Sequence, residues 1–385
     1  MTALGARIER ARASLAANGA AALLLGLGAD LRYLTGYTAH ALERLTLLVL
    51  RPNGSATLVA PRLEAMAAAE SPAATAGLLE IEAWDETEDP YALVATRLGG
   101  DDQAGAADPG NSARRLLVDP SLPARHVLGL QRVLAGRPFG LSTEVMRDLR
   151  IVKADDEVAL LRRAARAADR VVGRIAASRL VGRTEAEVSR EVRDLLIDEG
   201  HDDSSFAIVA SGSNGASPHH GAGERRLQPG DPVVLDIGGT IDGYGSDITR
   251  MLWVAGPDDA VRPTPEFLAV FELVREAQAA ATAAVRPGTR AGDLDEVARS
   301  VIRDGGFGDA FIHRLGHGIG LEAHEDPYLV AGNEETLDVG HAFSIEPGIY
   351  LEGRFGVRIE DIVVCGSDGP EILNTAPREL LVVPG

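Results

Sequence analysis

Four carboxylates of this 385-residue chain sit inside runs that otherwise read as buried strands: Asp236 in PVVLDIGG, Asp247 in SDITRMLWV, Glu346 in AFSIEPGIY and Glu360 in GVRIEDIVV. An isolated carboxylate in a low-dielectric interior costs several kcal/mol or stays protonated. A chain with four such acids needs a common counter-charge where they are buried, and a bound cation removes the cost. His317 adds an imidazole from GHGIG, where the flanking glycines permit close backbone approach. With no thiolate nearby, the set is hard and oxygen-rich. It suits Mn(II), with Co(II) or Zn(II) also compatible, and argues against a structural cysteine zinc site. Four negative charges roughly balance two divalent ions, which points to a two-metal centre with ions about 3.5 to 4 Å apart.

An internal repeat supplies the geometry. GRTEAEVSREVRDLLIDEG at 182–200 and GTRAGDLDEVARSVIRDGG at 288–306 both run from glycine to glycine over 18 positions, at an offset of 106. Apolar residues match at Val188/Leu294, Leu195/Val301 and Leu196/Ile302. Each copy is preceded by a longer helical pattern and followed by strands. Added to Asp236 and Asp247, the offset lands within a few residues of Glu346 and Glu360; added to His219, it lands one residue from His324. Two such halves related by a pseudo-twofold bring one acidic hairpin each to a shared centre, with a histidine on either side. Within the first hairpin, VVLDIGG turns through TIDGYG into SDITRMLWV, so Asp236 and Asp247 are expected to face each other across antiparallel strands; Glu346 and Glu360 are expected to do the same. Arg358, two residues before Glu360, shares its strand face and is expected either to orient the bridging acids or to read a substrate carboxylate.

With GHGIG, AHE, EPGIY and VRIED in order from about Ile151 to the C-terminus, the chain resembles the pita-bread metallopeptidases, the superfamily of methionine aminopeptidase, aminopeptidase P and prolidase. The resemblance implies that Asp236, Asp247, His317, Glu346 and Glu360 hold two divalent ions, with Asp247 and Glu360 bridging them. It implies Glu346 as proton shuttle and His324 as a donor to the tetrahedral intermediate. It places the opposing histidine at His219, directly after Pro218, with His220 as its neighbour; relatives often carry proline where this chain has Ala222, so the choice between the two rests on that alignment. His313 and Arg314 are expected to stand behind the ligands or near the substrate, while His40, His126, His201 and His341 are expected to be solvated.

Residues 1–150 alternate helical and strand patterns without a catalytic constellation of their own. RIERARASLAANG reads as a helix stopped by Gly19, AALLLG as a strand rather than a signal-peptide core, and Pro52–Gly54 as the turn between two antiparallel strands. DDQAGAADPGNS at 101–112 has the composition of a solvated loop. The resemblance makes this an α/β creatinase-like N-terminal domain that shapes the active-site mouth. The catalytic α+β pita-bread domain follows at 151–385.

The balance of 38 basic and 57 acidic residues, net −19, argues against nucleic acid or an anionic membrane surface as a partner. A single cysteine, Cys365 in an apolar run, permits no internal disulfide framework and fits a reducing cytoplasm. The run DLRYLTGYTAHALERLTLLVL, together with the length, resembles the short bacterial Xaa-Pro dipeptidases. The expected activity is therefore hydrolysis of dipeptides with proline at the second position, by a hydroxide bridged between two Mn(II) ions, in a homodimer. Aminopeptidase P activity on longer peptides is the alternative within the same chemistry, and hydrolysis of a non-peptide amide a remoter one.

Overall fold

The computed structural model describes residues 2–40, 42–99, 114–256 and 261–384. The expected polar loop at 101–112 lies outside them. The chain forms two compact units, meeting at Arg150/Ile151 in the sequence.

The N-terminal unit is a six-stranded mixed sheet, in the order Leu79–Trp84, Ala56–Pro61, Leu47–Leu50, Ala22–Leu25, Leu116–Val118, Phe139–Leu141. Its first helix, Ala3–Ala17, is capped by the Thr2 hydroxyl and ends before Gly19, whose φ of 63° a side chain would oppose. The strands Leu47–Leu50 and Ala56–Pro61 pair antiparallel around Gly54, at φ 88°.

The second unit carries the duplication. Helices Asp155–Ala176 and Glu185–Asp198 cover one sheet, ordered Leu381–Pro384, Ile248–Gly256, Pro232–Ile241, Asp203–Ser211. Helices Pro265–Ala284 and Ala291–Asp304 pack on a second, ordered Glu325–Leu329, Gly316–Gly318, Ala342–Ile345, Asp361–Gly366, Gly369–Ile372. The repeat helices Glu185–Asp198 and Ala291–Asp304 keep the offset of 106, and the matched residues Val188, Leu196, Leu294 and Ile302 are fully buried. Four further residues separate helix from hairpin in the second half. The left-handed glycines Gly230 and Gly243 therefore correspond to Gly340 and Gly353, 110 positions on.

Strand alternation decides which face the acids occupy. Val233, Leu235 and Ile237 turn toward the first pair of helices, so Val234 and Asp236 turn away from them. The hairpin reverses at Asp242 and Gly243, both left-handed at φ 49° and 80°. Its register places Thr249, not Asp247, opposite Asp236. Asp247 stands two residues along, on the same face, just before the strand Ile248–Gly256 begins. The expectation of directly facing aspartates is corrected to this diagonal because the tight two-residue reversal fixes the pairing. In the second half, Gly348 opposes Arg358, so the same register carried outward sets Glu346 against Glu360.

The solvated reading holds for exposed His40 and fails for His126, His201 and His341, which are 3–4 % exposed. Each finds a polar partner that makes burial tolerable: Tyr91 Oη for His126 at 3.0 Å, Ser246 Oγ and the Leu196 carbonyl for His201 at 2.9 and 3.1 Å, and the Asp338 amide for His341 at 3.3 Å. Burial pushes the pKa of His126 and His201 down.

Candidate metal centre

His317 rides on the three-residue strand Gly316–Gly318, an interior strand of the second sheet, between Glu325–Leu329 and Ala342–Ile345. Its flanking glycines are required there: a Cβ on Gly316 would lie 2.0 Å from the Ser344 carbonyl, and one on Gly318 2.2 Å from that of Asp326. The His317 amide donates to Ser344 Oγ at 3.0 Å, and Nδ1 faces the Gly318 carbonyl at 3.1 Å. That contact places the ring proton on Nδ1 and leaves the Nε2 lone pair free to bind a cation.

Nε2 faces two carboxylate oxygens, Glu346 Oε1 at 3.3 Å and Asp247 Oδ2 at 3.7 Å. One ligand atom each of Asp247, His317 and Glu360 falls within a 4.8 Å sphere of mutual separation. Glu346 touches that trio through His317. Asp236 is drawn off by a guanidinium: Arg358 Nη2 donates to its Oδ2 at 2.5 Å.

Two fully buried oxygens in this cluster have no hydrogen-bond partner among the described residues, Asp236 Oδ1 and Glu360 Oε1. Their partner oxygens are occupied by Arg358 and by Thr249 Oγ1 at 2.7 Å. Buried orphan acceptors of this kind are rare in folded proteins. Burial first, then the neighbouring acids, pushes the carboxyls of Asp247 and Glu360 well above the usual range and raises Asp236, which Arg358 pulls back. Burial would also raise Glu346, but a protonated His317 donating to it, with His313 and Arg358 nearby, would outweigh that and hold the group at about 2; a cation taking the Nε2 lone pair would supply the same positive charge. Asp236, Asp247 and Glu360, carboxyls raised by burial, two of them with an unpartnered buried oxygen, gathered with an imidazole whose Nε2 faces carboxylate oxygens, fit a divalent-cation site.

The remaining candidates divide. His324 packs against His317 with ring centroids 3.9 Å apart and planes tilted by 45°, and burial followed by the nearness of His317 and Arg314 lowers its pKa to about 4. His313 reaches the Tyr350 hydroxyl at 2.9 Å and the Arg314 carbonyl at 2.7 Å. His219 is exposed, whereas His220 is tied to Glu185 by a 2.8 Å contact. Of the two readings of Arg358, its contacts favour the one in which it orients the acids of the cluster over the one in which it reads a substrate carboxylate. It is buried and donates to Asp236, to Tyr350 Oη at 2.7 Å, to Thr249 Oγ1 at 3.1 Å and to the Pro218 carbonyl at 3.3 Å, which commits four of its five N–H groups.

Sequence reasoning missed Thr249, Tyr350 and Glu185, and under-weighted Arg314. Thr249 carried a usable signal, since it shares strand parity with Asp247. The guanidinium of Arg314 lies 4.4 Å from the centre of the Tyr328 ring, and Tyr328 is the cross-strand partner of His317. Among the described residues no carboxylate pairs with Arg314.

A duplicated α/β unit that closes a buried carboxylate–imidazole cluster, preceded by a separate α/β unit, defines a pita-bread metallohydrolase. Residues 159–367 match the model of metallopeptidase family M24 and residues 7–152 that of the creatinase/prolidase N-terminal domain. The chain belongs to metallopeptidase family M24, whose members use divalent metals, and is a peptidase. It is 45 % identical over 379 residues to the probable dipeptidase PepE of Mycobacterium tuberculosis, covering 98 % of this chain and 96 % of that protein. The crystal structure of dipeptidase PepE from Mycobacterium ulcerans superposes with a TM-score of 0.89 at 45 % identity, over 100 % of this chain and 98 % of that one. The Xaa-Pro dipeptidase of Pyrococcus furiosus is 40 % identical over 246 residues, 64 % of this chain and 69 % of its own.

Proposed function

We propose that this chain hydrolyses Xaa-Pro dipeptides, with Asp236, Asp247, His317, Glu346 and Glu360 holding two divalent ions, Mn(II) in the first instance. When bound, the ions acidify water and polarise the scissile carbonyl. Asp247 and Glu360, the most desolvated acids of the cluster, are assigned to bridge them. Glu346 is the least buried of the four carboxylates, with 16 % of its side chain exposed, and carries a proton from the attacking water to the leaving nitrogen. His219 and His324 donate to the oxygen on which charge develops.

The observation that carries the dipeptide reading is Arg314. The bond before proline is a tertiary amide with no N–H to grip, so a dipeptidase must hold the free proline carboxylate. A guanidinium serves that best, and Arg358 is buried with four of its five N–H groups already committed. Arg314, stacked on Tyr328 beside His324 and without an acidic partner among the described residues, is the cation assigned to it. With Mn(II) supplied, kcat/KM for Ala-Pro is expected to exceed that for Ala-Pro-Ala at least about tenfold, roughly the 1.4 kcal/mol of one charged contact. Arg314→Gln should narrow that gap. Equal or faster cleavage of Ala-Pro-Ala moves the assignment to aminopeptidase P with the same metal chemistry.

A further inference from the structure

The stretch from Ser211 to Gly223 carries both His219 and His220, and a carboxylate from a neighbouring helix holds it in place. Glu185 opens the helix Glu185–Asp198 and is completely buried. Its Oε1 accepts from the Ser211 amide at 2.7 Å, Ser211 Oγ at 2.6 Å and Asn214 Nδ2 at 3.0 Å. Its Oε2 accepts from His220 Nε2 at 2.8 Å, Asn214 Nδ2 at 3.1 Å and the Gly223 amide at 3.4 Å. These contacts fill a carboxylate's acceptor capacity. Burial alone would raise its pKa, but the hydrogen bonds from Ser211, His220 and Asn214 hold it below the usual range.

The surroundings tighten the grip. Ser211 Oγ accepts from Arg225 Nη1 at 2.6 Å, and Arg225 pairs with Asp231 at 2.7 and 2.8 Å. The first amides of the helix, of Glu185 and Ala186, donate to the carbonyls of Arg225 and Gly223, each at 3.0 Å. On its other side the stretch lies against the strand Phe355–Arg358. There a Cβ on Gly356 would fall 1.9 Å from the Gly215 carbonyl, and Arg358 reaches the Pro218 carbonyl. His219 sits between the Pro218 carbonyl, held by Arg358, and the His220 ring, held by Glu185. It is exposed, yet near enough to His313 and His324 to influence the charge of both.

We infer that Glu185 is a positioning residue for the reaction: through His220 and Asn214 it fixes the backbone of residues 212–223 so that His219 is presented to the substrate. The two adjacent histidines thus divide the labour, His220 anchored inward and His219 facing outward. This rests on His219 acting on the substrate, as proposed above. A donor aimed at a transition state loses most of its effect when its backbone drifts by about an ångström, so the signature of Glu185 is a loss in kcat that disappears once His219 is gone.

The test is a double-mutant cycle on the full-length, Mn(II)-loaded protein with Ala-Pro as substrate. Glu185→Gln is expected to lower kcat about tenfold with KM within about twofold and the metal-to-protein ratio unaltered; in a His219→Ala background the same change should cost less than about twofold. His220→Ala should reproduce that coupling, and His220→Gln, which keeps a donor toward Glu185, should restore much of the rate. The histidine pair decides the matter if Glu185→Gln does not fold. Equal losses in both backgrounds, or wild-type kcat in Glu185→Gln, overturn the inference while leaving His219 in place. Wild-type turnover in His219→Ala overturns the reading of His219 and the inference with it.

Discussion

Asp236 illustrates how one side chain can serve two counter-charges. Its Oδ2 accepts from Arg358 while Oδ1 stays bare, so a metal held there would meet a carboxylate already oriented by that hydrogen bond. Removing the guanidinium leaves Asp236 buried without that partner. Arg358→Met is accordingly expected to cost about 3–5 kcal/mol of stability, measured by urea unfolding of the metal-free protein. At Glu360, the amide substitution keeps shape and the Thr249 contact but removes the charge a cation needs. Glu360→Gln should lower bound metal, read by elemental analysis, and reduce turnover by at least about two orders of magnitude; near-normal turnover removes the bridging assignment. The acids themselves were legible in the sequence because a carboxylate in an apolar strand has few explanations. Arg358's true partner was not, since the pair spans 122 positions and depends on the second hairpin lying over the first.

At the scale of elements, the two repeat helices do comparable work on the segments that carry histidines. Glu185 clamps residues 211–223. Asp295, from the matching helix Ala291–Asp304, accepts from the Leu315 amide at 2.9 Å and pairs with Arg299, which donates to the carbonyls of Phe311 and His313. The repeat was visible as an offset of 106; in the structure Thr184 and Glu187 form a reciprocal capping box on the first repeat helix, while the second has no side-chain cap among the described residues. Thr184→Ala should lower stability by about 1 kcal/mol with little change in metal content. The offset could not reveal the four added residues before the second hairpin, nor the strand breaks at Glu346–Pro347 and Ile359–Glu360, where that hairpin leaves its five-stranded sheet to form a separate two-stranded ribbon. Gly316 offers the sharper test of element packing. Gly316→Ala drives a Cβ into the Ser344 carbonyl and must displace His317, so it should reduce metal binding although it touches no ligand atom.

For the whole molecule, the buried acids couple folding to both protons and metal. Glu360 is 1 % exposed and its pKa is raised well above 4.5, by burial first and then by Asp247, Glu346 and Asp236. A raised carboxyl binds its proton more tightly in the folded chain than in the unfolded one. Its contribution is therefore fully present below the unfolded pKa and is lost as pH climbs toward the folded value. Buried His126, His201 and His313, with lowered pKa values, act in the opposite sense, destabilising the fold as pH falls below the ordinary histidine range. A direct pH scan of stability mixes the two. Comparing metal-free wild type with metal-free Glu360→Gln cancels the histidines, which both share. At pH 5 the two should lie closest in unfolding free energy. As pH rises toward 8 the variant should gain on the wild type by up to about 1.4 kcal/mol per pH unit, until the folded-state pKa is passed. Saturating Mn(II) should reverse the order, because the ion replaces the proton as counter-charge and the variant binds it poorly. Urea unfolding at pH 5, 6.5 and 8, with chelator and with Mn(II), reads the difference. A gap that stays constant across pH without metal would mean that Glu360 does not carry the buried charge from which the metal centre was deduced.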